Sequence, residues 1–88
     1  MQFLVICRPA AGGDADEFSR LVPFETEALR EQKERGTLTG AWSPGHPGAV
    51  LLLEVADADQ AAGVLAGFPL VEAALITTEI IPLHPIDL

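Results

Sequence analysis

The chain has 88 residues, a formal net charge of −8 and only five Lys and Arg side chains. The length predicts one small domain spanning residues 1–88, and the shortage of basic residues argues against nucleic acid or an anionic membrane surface as a partner. Because 49% of the residues are hydrophobic, one small core cannot hide all of the apolar surface, so we expect a homodimer or a higher homo-oligomer.

The N-terminal segment predicts a strand and no targeting sequence. Residues 2–7, QFLVIC, form a β-branched and aromatic run that stops at Arg8 and Pro9. The run lacks the basic leader and cleavage region of a signal peptide, and no apolar run approaches the ~20 residues that a bilayer requires. Cys7 is the only cysteine, which excludes an intrachain disulfide and favours a cytoplasmic protein with this thiol in its core.

A long helix is predicted next, from the capping residue Asp14 to about Arg35, with Gly36 as its stop signal. Pro23 interrupts the pattern by removing one backbone hydrogen bond. Two interpretations are open: one helix that kinks at Pro23, or two segments of which the second begins there. We favour the kink, because the apolar stripe of the helix continues across the proline.

The second half of the chain predicts three more strands and one more helix. Apolar runs and turn residues predict a strand at 37–42, a turn at 43–48 (SPGHPG) and a central strand at 49–55. Capping signals then predict a helix that begins at Asp57 and that Pro69 ends. The last strand is predicted at 74–81, and a tail that contains several prolines follows it. The order βαββαβ predicts a ferredoxin-like α+β fold, with a four-stranded antiparallel sheet and both helices on one face. Since strands one and three are apolar on both sides, a second copy should cover the other sheet face.

Glu25 is the residue that fits this helix least well. Phe18, Val22 and Leu29 share a stripe at helical spacing, and the position that completes the stripe is Glu25. A carboxylate in a helix–sheet seam must be paired or have a raised pKa, and a pKa raised towards neutrality suits a general base or acid. In the alternative interpretation the kink turns Glu25 to the edge, where it is solvated or pairs with Arg8 or a lysine.

Five further residues are candidates for the same site. Arg8 has the chemistry to bind a substrate carboxylate, although a strand-end charge is commonly just exposed. Trp42 suits a ligand cavity as well as core or interface packing, and Phe24 is a further substrate-binding candidate. His46 lies in the turn, and His84, after the last strand, has the reach to act as an acid or base in a partner subunit's pocket. The spacing of the two histidines and the single cysteine predicts no metal site, and no glycine-rich phosphate loop or other cofactor motif is present.

The order of motifs over residues 18–85 resembles the muconolactone isomerase family. The shared features are a Glu-rich helix ending in an R-G step, a Trp six residues later, a G-H turn, an apolar strand, a second helix closed by a P-L step and a terminal H-P. The resemblance implies a dimeric α+β barrel in which two ferredoxin-like sheets face each other. It also implies that Glu25, Glu27, Trp42, His46 and His84 surround a pocket that a neighbouring subunit closes.

The family's founding enzyme moves a proton to shift a double bond in a lactone, without metal or cofactor. The resemblance therefore implies a cofactor-independent isomerase or cyclase acting on a small lactone-like or polyketide-like metabolite. Two departures imply a more apolar substrate: Thr26 replaces an expected lysine, and the region 40–47 is shorter and less polar than expected. A non-catalytic metabolite-binding or accessory subunit and a cofactor-free monooxygenase of polyketide phenols are the alternatives.

Overall fold

The computed structural model describes all 88 residues. Four strands, two principal helices and one helical turn follow each other as β1 (Gln2–Pro9), α1 (Ala15–Arg35), β2 (Leu38–Trp42), β3 (Ala49–Glu54), α2 (Ala58–Ala66), α3 (Pro69–Glu72) and β4 (Ile76–Leu83). The strands form one antiparallel sheet in the order β2-β3-β1-β4. The predicted ferredoxin-like α+β fold is confirmed, with β1 and β3 as the central strands. None of the helices has the length and hydropathy that crossing a bilayer requires.

Alternation along β1 divides the sheet into a covered face and an open face. Phe3, Val5 and Cys7 are buried, whereas Leu4 and Ile6 between them are only half-buried. In β3 the buried positions are Leu51 and Leu53, which pair with Val5 and Phe3. The covered face packs against the helices and carries the core, because successive residues of a strand point to opposite sides of a sheet.

Helix α1 forms one continuous segment across Pro23. The carboxylate of Asp14 accepts hydrogen bonds from the backbone N–H groups of Asp16 and Glu17 at the N-terminus. Gly36, at φ 82°, ends the helix in the left-handed conformation that favours glycine. The alternative of two separate segments is thereby excluded, and Phe18, Glu25 and Leu29 face the same side of the helix.

The sequence-based boundaries are wrong in two neighbouring places. Helix α2 ends at Ala66, and Pro69 begins the short helix α3 rather than closing α2, because proline is well accommodated in the first turn of a helix. The last strand begins at Ile76, two residues later than expected, since Ala74 has a φ of 57° that no strand accommodates. The strand then includes Pro82, which an edge strand tolerates.

Candidate active site

Glu25 is the one buried residue of α1, with 9% of its surface exposed. Its Oε1 atom accepts a hydrogen bond of 3.0 Å from the backbone N–H of Leu70 in α3. That N–H belongs to the first turn of α3, where backbone donors have no partner within the helix. The predicted position of Glu25 in the helix–sheet seam is therefore what the structure shows, and the solvated edge position is excluded.

The second carboxylate oxygen of Glu25 is free. The only hydrogen bond to the carboxylate is the one from Leu70. Every side-chain nitrogen or oxygen atom that is buried away from solvent has a hydrogen-bond partner. Since Oε2 has no partner, it is not sealed and must reach the open space beside it. One oxygen thus fixes the orientation of the carboxylate while the other stays available for a proton.

The surroundings of Glu25 favour its neutral form. Burial raises the pKa of the Glu25 carboxyl above its ordinary value of 4.5, and the hydrogen bond from Leu70, which favours the charged form, offsets part of that rise. No Lys or Arg pairs with this carboxylate. A carboxyl shifted in this direction is a stronger base, once ionised, than one in water.

A cavity of about 350 Å³ lies beside Glu25, between α1 and the covered face of the sheet. Its size falls in the range of small-molecule sites, roughly 300–1,000 Å³. Its wall combines apolar side chains with a few hydroxyl, thiol and imidazole groups; the lining residues are Cys7, Phe18, Val22, Glu25, Thr26, Leu29, Ser43, His46, Pro47, Gly48, Ala49, Leu51, Leu70 and Ile76.

Cys7 faces the same cavity from β1, and its thiol is free and buried. Burial and, to a smaller extent, the charge of Glu25 raise the pKa of the Cys7 thiol to about 11. The thiol therefore stays protonated at neutral pH and is a poor nucleophile. Glu25 is the one group in the cavity wall whose environment shifts its pKa towards the range of a general base.

The turn between β2 and β3 closes one side of the cavity. Gly48 has a φ of 129°, and a Cβ atom at this residue would lie 2.6 Å from the backbone oxygen of Cys7. Only glycine allows the turn to approach β1 so closely. The turn then brings His46 to the cavity, where its Nδ1 lies 3.1 Å from the carbonyl oxygen of Pro47. In the tautomer that donates from Nδ1, Nε2 is left as a hydrogen-bond acceptor.

Of the predicted site residues, the structure brings together only Glu25 and His46. Arg8 points to the open face of the sheet, where its guanidinium forms an exposed ion pair of 3.0 Å with Glu79. The alternation of β1 explains this placement, because Cys7 takes the covered face and Arg8 the opposite one. The prediction that Arg8 binds substrate in the Glu25 cavity is therefore wrong for the single chain.

The aromatic candidates and His84 also lie outside the cavity. Trp42 is on the open face of the sheet, over Gly40, with 55% of its surface exposed. Phe24 directly follows Pro23 on α1, and it is 60% exposed because it points away from the stripe that contains Glu25. His84 is exposed in the tail after β4. Glu27 is exposed too and pairs with Arg30 at 2.7 Å.

Three polar residues of the cavity are absent from the sequence-based set of site residues. Cys7 is buried, as expected of a core residue, and its alternation with Arg8 is the signal that places it on the face that α1 covers. Thr26 follows Glu25 in sequence, and its hydroxyl donates to the carbonyl of Val22 at 3.0 Å. Ser43 belongs to the turn, whose path no periodicity reveals. No three His, Cys, Asp or Glu side chains lie close enough together to hold a metal ion.

Comparisons with known proteins support the fold. Neither protein-family models nor curated protein sequences give a match. Among solved structures, the chain is similar to a muconolactone isomerase, with a TM-score of 0.77 and 22% identity over 99% of this chain and 94% of that chain. It is also similar to the 5-chloro-2-hydroxyhydroquinone dehydrochlorinase of Burkholderia phenoliruptrix AC1100, whose structure was solved in complex with 2,5-dihydroxybenzoquinone. For this pair the TM-score is 0.75, and the identity is 16% over 96% of this chain and 94% of that chain. The predicted resemblance to the muconolactone isomerase family is thus confirmed at the level of the fold.

Proposed function

We propose that the protein is a cofactor-independent isomerase or cyclase that moves a proton on a small lactone-like or polyketide-like metabolite. The observation that carries the proposal is the Glu25 carboxylate, buried, held by one oxygen and free at the other, in the wall of a cavity large enough for such a molecule. The two structural neighbours, a muconolactone isomerase and a 5-chloro-2-hydroxyhydroquinone dehydrochlorinase, act on small organic molecules and support this general class.

Glu25 is the proposed base. In its ionised form, Oε2 removes an acidic proton from a carbon next to a carbonyl, and the electron pair of the broken C–H bond moves into an enolate. The same carboxylic acid then returns the proton to another carbon of the conjugated system, so that the double bond shifts and no net oxidation occurs. A positioned general base contributes roughly 10²–10⁴-fold to such a step.

His46 is proposed to orient the substrate. Its imidazole lies in the cavity wall with Glu25, and in the tautomer that donates from Nδ1 to the Pro47 carbonyl, Nε2 accepts a hydrogen bond from a substrate hydroxyl group. The Thr26 hydroxyl already donates to the Val22 carbonyl, so its oxygen also acts towards the substrate as an acceptor. The Leu70 N–H keeps the carboxylate in position, because Oε1 is already engaged when Oε2 reacts.

A homodimer is part of the same proposal. The open sheet face carries apolar side chains from all four strands, including Leu4, Ile6, Trp42, Leu52 and Ile81, and no element of the chain covers it. A second copy packed face to face would bury them. Such a dimer would reside in the cytoplasm and leave each helix-side cavity accessible to a small molecule.

The decisive experiment uses α-angelica lactone, a neutral β,γ-unsaturated lactone, in deuterated water. We expect the protein to accelerate deuterium uptake at the α-carbon and the shift of the double bond into conjugation, both followed by NMR. Glu25→Gln should reduce the rate at least about 100-fold, whereas the exposed neighbour control Glu27→Gln should retain it. A correctly folded Glu25→Gln protein with full activity would refute the role of Glu25.

The same experiment separates the alternatives. Lactone that binds but exchanges no α-proton in the wild-type protein would indicate a metabolite-binding subunit. Oxygen uptake on addition of anthrone, with Glu25→Gln again as the comparison, would indicate a cofactor-free monooxygenase instead.

A further inference from the structure

A second cavity of about 330 Å³ adjoins the one that contains Glu25. Phe18 and Pro47 line both cavities, so these two residues lie at the boundary between them. The second cavity lies between the end of β1, the first turn of α1 and the segment before β4; the residues that line it alone are Pro9, Ala10, Gly13, Asp14, Ala15, Ser19 and Leu75. Each cavity by itself is at the lower end of the range for small-molecule sites, roughly 300–1,000 Å³.

Neither cavity has a Lys or Arg side chain in its wall. The five basic side chains are elsewhere: Arg8, Arg20, Arg30 and Arg35 form exposed ion pairs on the surface, and Lys33 is exposed on α1. Each cavity instead carries one carboxylate, Glu25 in the first and Asp14 in the second. The chain as a whole has a net charge of −8, which adds to the repulsion of an anion.

From these observations we infer that the two cavities form one two-lobed site for a neutral, elongated and largely apolar substrate. The inference rests on the proposed function and narrows its substrate class. The reacting carbon lies against Glu25 in the first lobe, and the remainder of the molecule passes between Phe18 and Pro47 to contact Leu75 and Ala10 in the second. A substrate with a carboxylate group would meet the Glu25 carboxylate in the first lobe with no Lys or Arg side chain to compensate the charge, so the site selects against such a substrate.

A matched pair of fluorescent probes tests the charge selection. N-phenyl-1-naphthylamine is neutral and elongated, and 1-anilinonaphthalene-8-sulfonate has the same aromatic skeleton with one sulfonate added. We expect the neutral probe to bind at least tenfold more tightly than the anionic one. Replacement of the wall carboxylate by Glu25→Gln should narrow that difference by strengthening binding of the anion. Equal affinity of the wild-type protein for the two probes would overturn the inference, and so would no binding of the neutral probe.

Two alanine-to-leucine substitutions test the second lobe. Ala15 is exposed at the start of α1 and lines the second cavity but not the first. Ala15→Leu therefore fills the second lobe at a helical position that accepts leucine. We expect Ala15→Leu to weaken N-phenyl-1-naphthylamine at least tenfold and to leave 1-naphthol, which fits one lobe, unchanged. The matched control is Ala62→Leu, on the exposed side of α2 and away from every cavity, which should change neither affinity. Unchanged binding of the long probe to Ala15→Leu would refute the two-lobed site.

These binding measurements are independent of turnover. If the probes bind with the expected affinities but the Glu25→Gln variant keeps full isomerase activity, the proposed function is refuted and the two-lobed neutral site is retained. The converse result, Glu25-dependent turnover with equal binding of the two probes, would refute the two-lobed neutral site alone.

Discussion

The backbone N–H of Leu70 donates a hydrogen bond of 3.0 Å to the carboxylate of Glu25, 45 residues earlier in the chain, and so joins α3 to α1. The donor belongs to the first turn of α3, the helix that Pro69 begins. The bond fixes the orientation of a carboxylate that burial destabilises in its charged form. Stability and the proposed chemistry are therefore linked at this residue.

We expect Glu25→Gln to stabilise the fold relative to the wild-type protein at neutral pH. The pKa of Glu25 is raised in the folded state, so its contribution to stability is fully present below the unfolded value of 4.5 and is lost as the pH rises through the folded pKa. Glutamine keeps an oxygen that accepts from Leu70 and has no charge to bury. The measurement is urea unfolding of both proteins from pH 4 to 8.

The difference in unfolding free energy between the two proteins should therefore grow across that window in favour of Glu25→Gln and then level off. Glu27→Gln serves as the control, because it removes an exposed carboxylate from the same helix. A difference for Glu25→Gln that is independent of pH would contradict the raised pKa.

The thiol of Cys7 should react slowly in the folded protein. A pKa of about 11, against an ordinary value of 9.0, lowers the thiolate fraction at pH 8 by about 100-fold, and burial limits access further. We expect iodoacetamide to alkylate the urea-unfolded protein at least 100-fold faster, as followed by mass spectrometry. Because the charge of Glu25 contributes to the shift, Glu25→Gln should move the pH–rate profile of the folded protein to lower pH. A profile that does not move would show that burial alone raises the pKa of Cys7.

Much of the fold, and one residue of the site, follow from local patterns. The alternation of β1 and the stripe of α1 are periodic, so the amino-acid sequence separates the two faces of the strand and places Glu25 among apolar positions of the helix. Which sheet face is covered, and whether Glu25 is buried or turned to the edge, depend on the tertiary packing. The cavity depends on features without a period: a turn whose path Gly48 permits, and the Leu70 donor that α3 presents. Arg8 and Trp42 lie outside the cavity, because a residue type suited to binding says nothing about the sheet face on which it lies.

Gly48 should be much less tolerant of alanine than Gly45 in the same turn. Both have positive φ, 129° and 85°, but a Cβ at Gly48 would lie 2.6 Å from the Cys7 oxygen, whereas one at Gly45 meets nothing within 4 Å. We expect Gly45→Ala to cost about 1–2 kcal/mol of unfolding free energy, and Gly48→Ala about 3 kcal/mol or more. Chemical denaturation checks the ranking. Equal costs at the two positions would mean that the close approach to β1 has no energetic consequence.

The open sheet face should control the oligomeric state. Leu52 lies at its centre, between Leu4 of β1 and Gly40 of β2, and is half-buried in the single chain. In a face-to-face homodimer, Leu52→Glu would bring two carboxylates into an apolar interface, and we expect the dissociation constant measured by sedimentation to rise at least about 100-fold. Ile86→Glu is the control, since Ile86 is 80% exposed in the tail and lies outside this face.

Trp42 provides an independent readout of the same interface. It is the only tryptophan, it is 55% exposed in the single chain, and it lies on the open face. Its emission should shift to longer wavelength when Leu52→Glu separates the subunits, because the indole then contacts water, and the wild-type protein should show the same shift on dilution. A wild-type protein that sediments as a monomer at micromolar concentration would leave the apolar face without a partner and refute the barrel.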